Sequence, residues 1–202
     1  MRLDPAFAPL LQGFDLEVLN KSTATIYGIW SDTRLAYYND AWERFAHINH
    51  PGVDLATRWP LGRPIREAFG PLEAFYDDAF AHVLDDKVVW HHDFQCNSAQ
   101  RFRMYHMAVY PLQAPGAERG LLLINSLTVD HPHPDTPTLP DPLAEHYRNA
   151  KGLITMCSHC RRTRQGDDDT HWDWVPNFVE HPPDDLSHGL CNICLDFYYP
   201  RP

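Results

Sequence analysis

Residues 88–129 read VVWHHDFQCNSAQRFRMYHMAVYPLQAPGAERGLLLINSLTV, and this stretch decides the fold. Three β-prone runs, VVWHHDFQC (88–96), FRMYHMAVYPL (102–112) and GLLLINSLTV (120–129), are separated by turn-forming residues at Asn97 to Gln100 and Pro115 to Gly120. Connections this short join antiparallel neighbours, because a parallel crossover needs a dozen or more residues. The stretch is a three-stranded meander.

Upstream, in PLEAFYDDAFAHVLDDK (71–87), Leu72, Phe75, Tyr76, Ala79, Phe80, Val83 and Leu84 recur at the i, i+3, i+4, i+7 spacing of a helix with one buried face. Pro71 stands just before its first turn, where a missing N–H costs nothing. Further upstream, ATIYGIW (24–30) and LAYY (35–38) flank the turn SDTR and read as a hairpin. Asn39 or Asp40 then caps a helix over NDAWERFAHIN, with Glu43 near the third position and Trp42, Phe45 and Ala46 along one side. Two strands, intervening helices and three strands give an α+β fold: a five-stranded antiparallel sheet with helices on one face.

Over residues 14–130 this pattern resembles the PAS superfamily. The residues that carry the likeness are Leu35-Ala36-Tyr37-Tyr38-Asn39-Asp40-Ala41-Trp42, an aromatic strand running into an Asn-containing helix start, followed by the long helix and the last three strands. The resemblance implies a sensor module that binds a small ligand between sheet and helices, pairs into a homodimer and passes a signal to a partner protein.

The chain has 202 residues, enough for one full-sized core and a smaller unit. The composition shift at 131–142 (HPHPDTPTLPDP) marks a linker, since Pro132, Pro134, Pro137, Pro140 and Pro142 fix φ and remove donors too often for helix or central strand. The expected organisation is a sensor domain with an N-terminal helix over 1–130, the linker over 131–142, and a helix with a cysteine module over 143–202. In DPAFAPLLQGF the apolar stripe of Phe7, Leu10, Leu11 and Phe14 has no evident place in the sheet and is expected to dock a second copy. No run approaches the roughly 18 apolar residues of a membrane span, and the N-terminal stretch has acids and a proline where a signal peptide needs apolar residues, so a cytoplasmic protein is expected.

Four of the five cysteines fall in two pairs, Cys157-x2-Cys160 and Cys191-x2-Cys194, thirty residues apart. Four soft thiolates in two chelating pairs are what a tetrahedral structural Zn²⁺ site requires. An iron–sulfur cluster and a thiol redox pair use the same residue type and stay open as alternatives. His188 is a further candidate, as a substitute ligand or as a residue orienting the ligands from behind. The lone Cys96 reads as a small buried hydrophobe. Met156-Cys157-Ser158-His159-Cys160, Trp174 and Ser187-His188-Gly189-Leu190-Cys191-Asn192-Ile193-Cys194 resemble the cysteine-rich tail that follows PAS or receiver domains in some bacterial signalling proteins. Asn192-Ile193 departs from the more usual Pro-Asp between the second pair.

Strand alternation places Trp90, His92 and Phe94 on one face of their strand, and Met104, His106 and Tyr110 on one face of the next. A three-residue turn of Ser98, Ala99 and Gln100 sets Cys96 opposite Phe102 and His92 opposite His106. His92, His106, Trp90, Met104 and Tyr110 are therefore the expected ligand pocket. Haem remains a minor alternative, with His82 on the long helix as the residue to watch.

Function follows by class. A net charge of −10 repels a phosphate backbone, and residues 157–202 hold eight acids against four bases, so DNA binding through Arg161, Arg162 and Arg164 is the secondary reading. No nucleophile, base and oxyanion donor stand at readable spacing, and Asp167, Asp168 and Asp169 read as a solvated loop, so the protein is not expected to be an enzyme. The leading reading is a signal-sensing or adaptor protein whose zinc module presents a surface to its partner.

Overall fold

A computed structural model describes residues 2–49, 55–116, 118–133 and 144–200. In chain order the first part comprises β1 (Arg2–Leu3), a 3-10 turn (Ala8–Leu11), α1 (Leu16–Lys21), β2 (Thr25–Trp30), β3 (Leu35–Tyr38), α2 (Asp40–Asn49), α3 (Leu55–Arg58), α4 (Glu73–Asp86), β4 (Trp90–Gln95), β5 (Arg101–Leu112) and β6 (Gly120–Pro132). There follow α5 (Ala144–Tyr147), β7 (Ile154–Cys157), β8 (Thr163–Gln165), β9 (Asp168–Asp173), α6 (Pro176–Glu180), β10 (Leu186–Gly189) and α7 (Asn192–Tyr198). Strands β1–β6 form one antiparallel sheet in the order β1-β3-β2-β6-β5-β4. The α+β class and the meander are as expected, with β1 as a sixth strand paired to β3 through Arg2↔Tyr38 and Leu3↔Tyr37.

The described residues fall into two compact units, one drawn from 1–69, 76–93 and 105–127, the other from 70–75, 94–104 and 128–202. The first two residues of the expected linker, His131 and Pro132, end β6, and 134–142 lie outside the described residues.

In the first unit the local chemistry accounts for the elements. Asp15 caps α1, its carboxylate accepting from the N–H of Glu17 and of Val18. Asn39 is fully buried and caps α2: Oδ1 accepts from Trp42 N at 3.0 Å and Ile26 N at 3.1 Å, while Nδ2 donates to Leu19 O at 3.1 Å and Ala24 O at 2.9 Å. One side chain thus ties α1, β2 and α2 together with all four of its hydrogen-bonding positions in use. Tyr76, Phe80, Val83 and Leu84 of α4 are buried, as its periodicity requires.

The other face of the sheet is covered by the N-terminal segment. Phe7, Leu10 and Leu11 pack with Ile26, Trp30, Ala36, Tyr37, Leu112 and Leu122 into one core, with Phe14 and Tyr110 at its margin. The stripe expected to dock a second copy is therefore buried within its own unit. What makes room for it is the pair Gly28 and Gly120, whose missing side chains leave space for the Phe7 ring.

The second unit has its own sheet, in the order β10-β7-β8-β9. β10 runs parallel to β7, with Ile154 opposite Leu186 and Cys157 opposite Gly189. Tyr147, Ile154, Met156, Val175 and Phe178 form its small core. The tip of the β4–β5 hairpin belongs to this unit, with Asn97 Nδ2 donating to Cys160 O at 3.3 Å.

Candidate metal centre

Cys157 ends β7 and Cys160 follows within one turn, closed by Arg161 N donating to Cys157 O at 3.0 Å and by Cys157 N donating to Arg162 O at 2.8 Å. Arg161 sits at φ 66°, in the left-handed region that lets the chain reverse there. Cys191 is the residue before α7 and Cys194 lies in its first turn. The parallel register of β7 and β10 brings the two pairs together.

All four Sγ atoms lie within 4.8 Å of one another, and Cys160 Sγ is 3.8 Å from Cys191 Sγ. Ligands about 2.3 Å from a tetrahedral ion are roughly 3.8 Å apart along each edge, so the spacing fits that coordination. It does not fit a disulfide, whose sulfurs stand about 2.05 Å apart, and all five cysteines are free. Cys157, Cys191 and Cys194 are buried, with Trp172 and Leu190 packed around them.

The electrostatics point the same way. Hydrogen bonds from Cys160, then Cys191 and Cys194, hold Cys157 well below the usual thiol range, and Cys191 N donates to its sulfur at 3.4 Å. Cys160 and Cys194 are pushed up, chiefly by their hydrogen bonds to Cys157. Four sulfurs this close cannot all be anionic without a cation among them. A divalent ion would take the place of the shared protons, and the four cysteines can hold one in a closed shell without an open position.

Neither nearby histidine belongs to this set. His159, between the first two cysteines, is buried, and its Nδ1 lies 2.6 Å from Tyr198 OH. His188 is exposed on β10, opposite Met156.

The expected ligand pocket is divided by the sheet. Cys96 N donates to Arg103 O at 3.1 Å and Ser98 N to Arg101 O at 3.0 Å, so the hairpin turns on two residues, Ala99 and Gln100, and not on three. The register moves by one residue, which puts Asp93 opposite His106 and reverses the facing of one strand relative to the other. His92 and Trp90 stack with ring centroids 5.1 Å apart on the face that carries Tyr76, 6.3 Å from His92. His106 lies on the opposite face, with Nδ1 2.7 Å from Asp93 Oδ1 and Nε2 3.0 Å from His91 Nδ1. Met104 is on that same strand face, and Tyr110, also there, meets Phe14 under the N-terminal segment. The predicted pairing of His92 with His106 is thus corrected to His91 with His106. His82 is exposed on α4 and paired with Asp86 at 2.6 Å.

The inner face holds polar residues that the alternation pattern did not single out. Tyr27 is buried, and burial, then Tyr76, pushes its phenol above the ordinary range against a hydrogen bond from Asn125. Asn125 pairs with Thr25 in register and donates through Nδ2 to Thr25 O at 3.2 Å, leaving its buried Oδ1 without a hydrogen-bond partner among the described residues. Asn125 was legible only as the one amide in an otherwise apolar run, Leu121 to Ile124.

No family model and no curated protein matches the chain. Among solved structures it is similar to the PAS domain of BvgS from Bordetella pertussis, at 18% identity and a TM-score of 0.42 over 56% of this chain and 82% of that one. It is also similar to a PAS domain from Colwellia psychrerythraea, at 13% identity and a TM-score of 0.40 over 54% and 89%. A third is the photoactive yellow protein domain of the sensor histidine kinase Ppr from Rhodospirillum centenum, at 13% identity and a TM-score of 0.39 over 57% and 94%. The fold is PAS-like. That description rests on the chain's own strand order and helices.

Outside the PAS-like sheet, the basic cluster of the cysteine module is partly spent on its own acids: Arg164 pairs with Asp169 at 2.5 Å. Asp168 is held well below the carboxylate range by hydrogen bonds from Thr170, then His171, and so takes part in its turn. Among the described residues no helix is long and apolar enough to cross a membrane.

Proposed function

We propose that this chain is a non-catalytic signal sensor, in which the PAS-like unit takes up a small polar ligand on the inner face of its sheet and a structural Zn²⁺ held by Cys157, Cys160, Cys191 and Cys194 shapes a partner-binding module. The observation that carries the sensing role is the buried Oδ1 of Asn125, which has no hydrogen-bond partner among the described residues. Leaving such an acceptor bare costs about 1–3 kcal/mol, and a donor on a bound ligand would satisfy it. Tyr27, Tyr76 and His92 supply further polar contacts on the same face. Support for a partner surface comes from Ile193 and Phe197, one helical turn apart on α7 and 72% and 57% exposed.

A single tetrahedral ion such as zinc is favoured over a multi-iron cluster by the sulfur spacing, with all four Sγ atoms within 4.8 Å of one another, as the coordination shell of one ion requires. Native mass spectrometry of the purified full chain tests both halves. The expected result is one zinc, together with a small molecule that is lost in Asn125→Leu. A chain that carries no small molecule, and whose melting temperature no polar metabolite raises, would overturn the sensing role. Iron in place of zinc would overturn the structural-zinc assignment.

A further inference from the structure

We propose a second metal site in the PAS-like unit, in which His91 Nδ1 and His106 Nε2 bind a divalent transition ion and Asp93 orients His106. Three independent features point to such a site. The two nitrogens stand 3.0 Å apart, on rings that are nearly parallel at 23°. The other nitrogen of His106, Nδ1, lies 2.7 Å from Asp93 Oδ1. The groups are open to solvent, with the side chains of His106 and Asp93 41% and 62% exposed.

The Asp93 contact fixes the chemistry of the ring. A carboxylate accepts, so Nδ1 of His106 carries the proton and Nε2 keeps its lone pair. The 3.0 Å contact is then donated by His91 Nδ1–H. Moving that proton to Nε2 of His91 frees a second lone pair beside the first, and an ion takes the place of the bridging hydrogen. No net proton is gained or lost. A carboxylate behind a ligating imidazole is the usual means of holding its tautomer and raising its basicity.

The separation also selects the ion. Metal–nitrogen bonds of about 2.05 Å place tetrahedral ligands roughly 3.3 Å apart, whereas two cis ligands near 90° stand roughly 2.9 Å apart. The observed 3.0 Å is close to the second value. It favours Ni²⁺ or Cu²⁺, which take square-planar or octahedral positions, over a second tetrahedral zinc, with water filling the remaining positions. With zinc already in place, the four-cysteine centre leaves no open position for that ion.

The test is a calorimetric titration of the zinc-replete full chain with Ni²⁺ alone, with proton NMR of the histidine rings as a second readout. The expected result is one bound Ni²⁺ with unchanged zinc content and selective broadening of the His91 and His106 ring signals. His91→Ala and His106→Ala should each weaken binding at least tenfold, and Asp93→Asn should weaken it about 10–100-fold. His82→Ala, which removes another exposed histidine paired to an aspartate, should leave it unchanged. Absence of Ni²⁺ binding, or binding that survives the double change His91→Ala/His106→Ala, overturns the site.

Discussion

The ring of Phe7 occupies the space that a side chain on Gly28 would need: a β-carbon built there would stand 2.5 Å from Cε1 and 2.9 Å from Cζ of that ring. Phe7 is fully buried and meets Trp30 edge-on at 4.8 Å, so it has no room to retreat. Gly28→Ala is expected to cost about 1–3 kcal/mol through overpacking. Urea denaturation followed by far-UV circular dichroism should show a lower midpoint with an unchanged slope, and an unshifted midpoint would contradict this packing.

Asn39 predicts a graded series. Asn39→Ala strips partners from Ile26 N, Trp42 N, Leu19 O and Ala24 O together, and should cost at least about 2 kcal/mol. Asn39→Asp keeps the acceptor for the two N–H groups but turns a carboxylate oxygen toward two carbonyls. It should destabilise as well, and less so at low pH, where the protonated acid can donate to one of them. A melting temperature insensitive to either change would show that the cap is dispensable.

Removing the metal should act locally. Chelation, or Cys191→Ser, is expected to release one zinc and expose 144–200 to protease before the PAS-like sheet is cut, since metal binding and folding are coupled in such small modules. Mass mapping of the first cleavage sites decides this. First cuts within β2 or β6 would refute it.

Tyr147 gives the same unit a pH signature. Burial, then its hydrogen bond to Asp173, pushes its phenol from 10.0 up to about 12. The folded state then keeps a proton that the unfolded state loses, so the stability it contributes is fully present below about pH 10 and is lost as pH rises toward 12. Tyr147→Phe should flatten that alkaline decline. Tyrosinate absorbance near pH 11 that is identical in the folded and unfolded chain would argue against it.

Much of this was legible in the chain, and the exceptions have physical causes. The stripe on α4 and the two CxxC pairs declared themselves because periodicity and ligand spacing are local properties. The hairpin between β4 and β5 did not, because a turn of two residues and a turn of three are equally consistent with Asn97-Ser98-Ala99-Gln100, and a single residue moves His106 to the other face. Asn97 and Ser98 settle the matter by accepting from Arg103 N and Arg101 N, contacts visible only in the folded chain. The burial of Phe7, Leu10 and Leu11 was hidden for a different reason: the glycines that admit them, Gly28 and Gly120, are far away in sequence.

The parallel pairing of β7 with β10 makes the module a natural display scaffold. Position in space, and not distance along the chain, sets the cysteine geometry, so the excursion through β8, β9 and α6 can lengthen while the four sulfurs stay where they are. The exposed junction between His181 and Pro182 is the place to graft foreign sequence. Each doubling of a flexible loop adds only about 0.6 kcal/mol of closure entropy, so inserts of tens of residues should be carried with the metal centre intact.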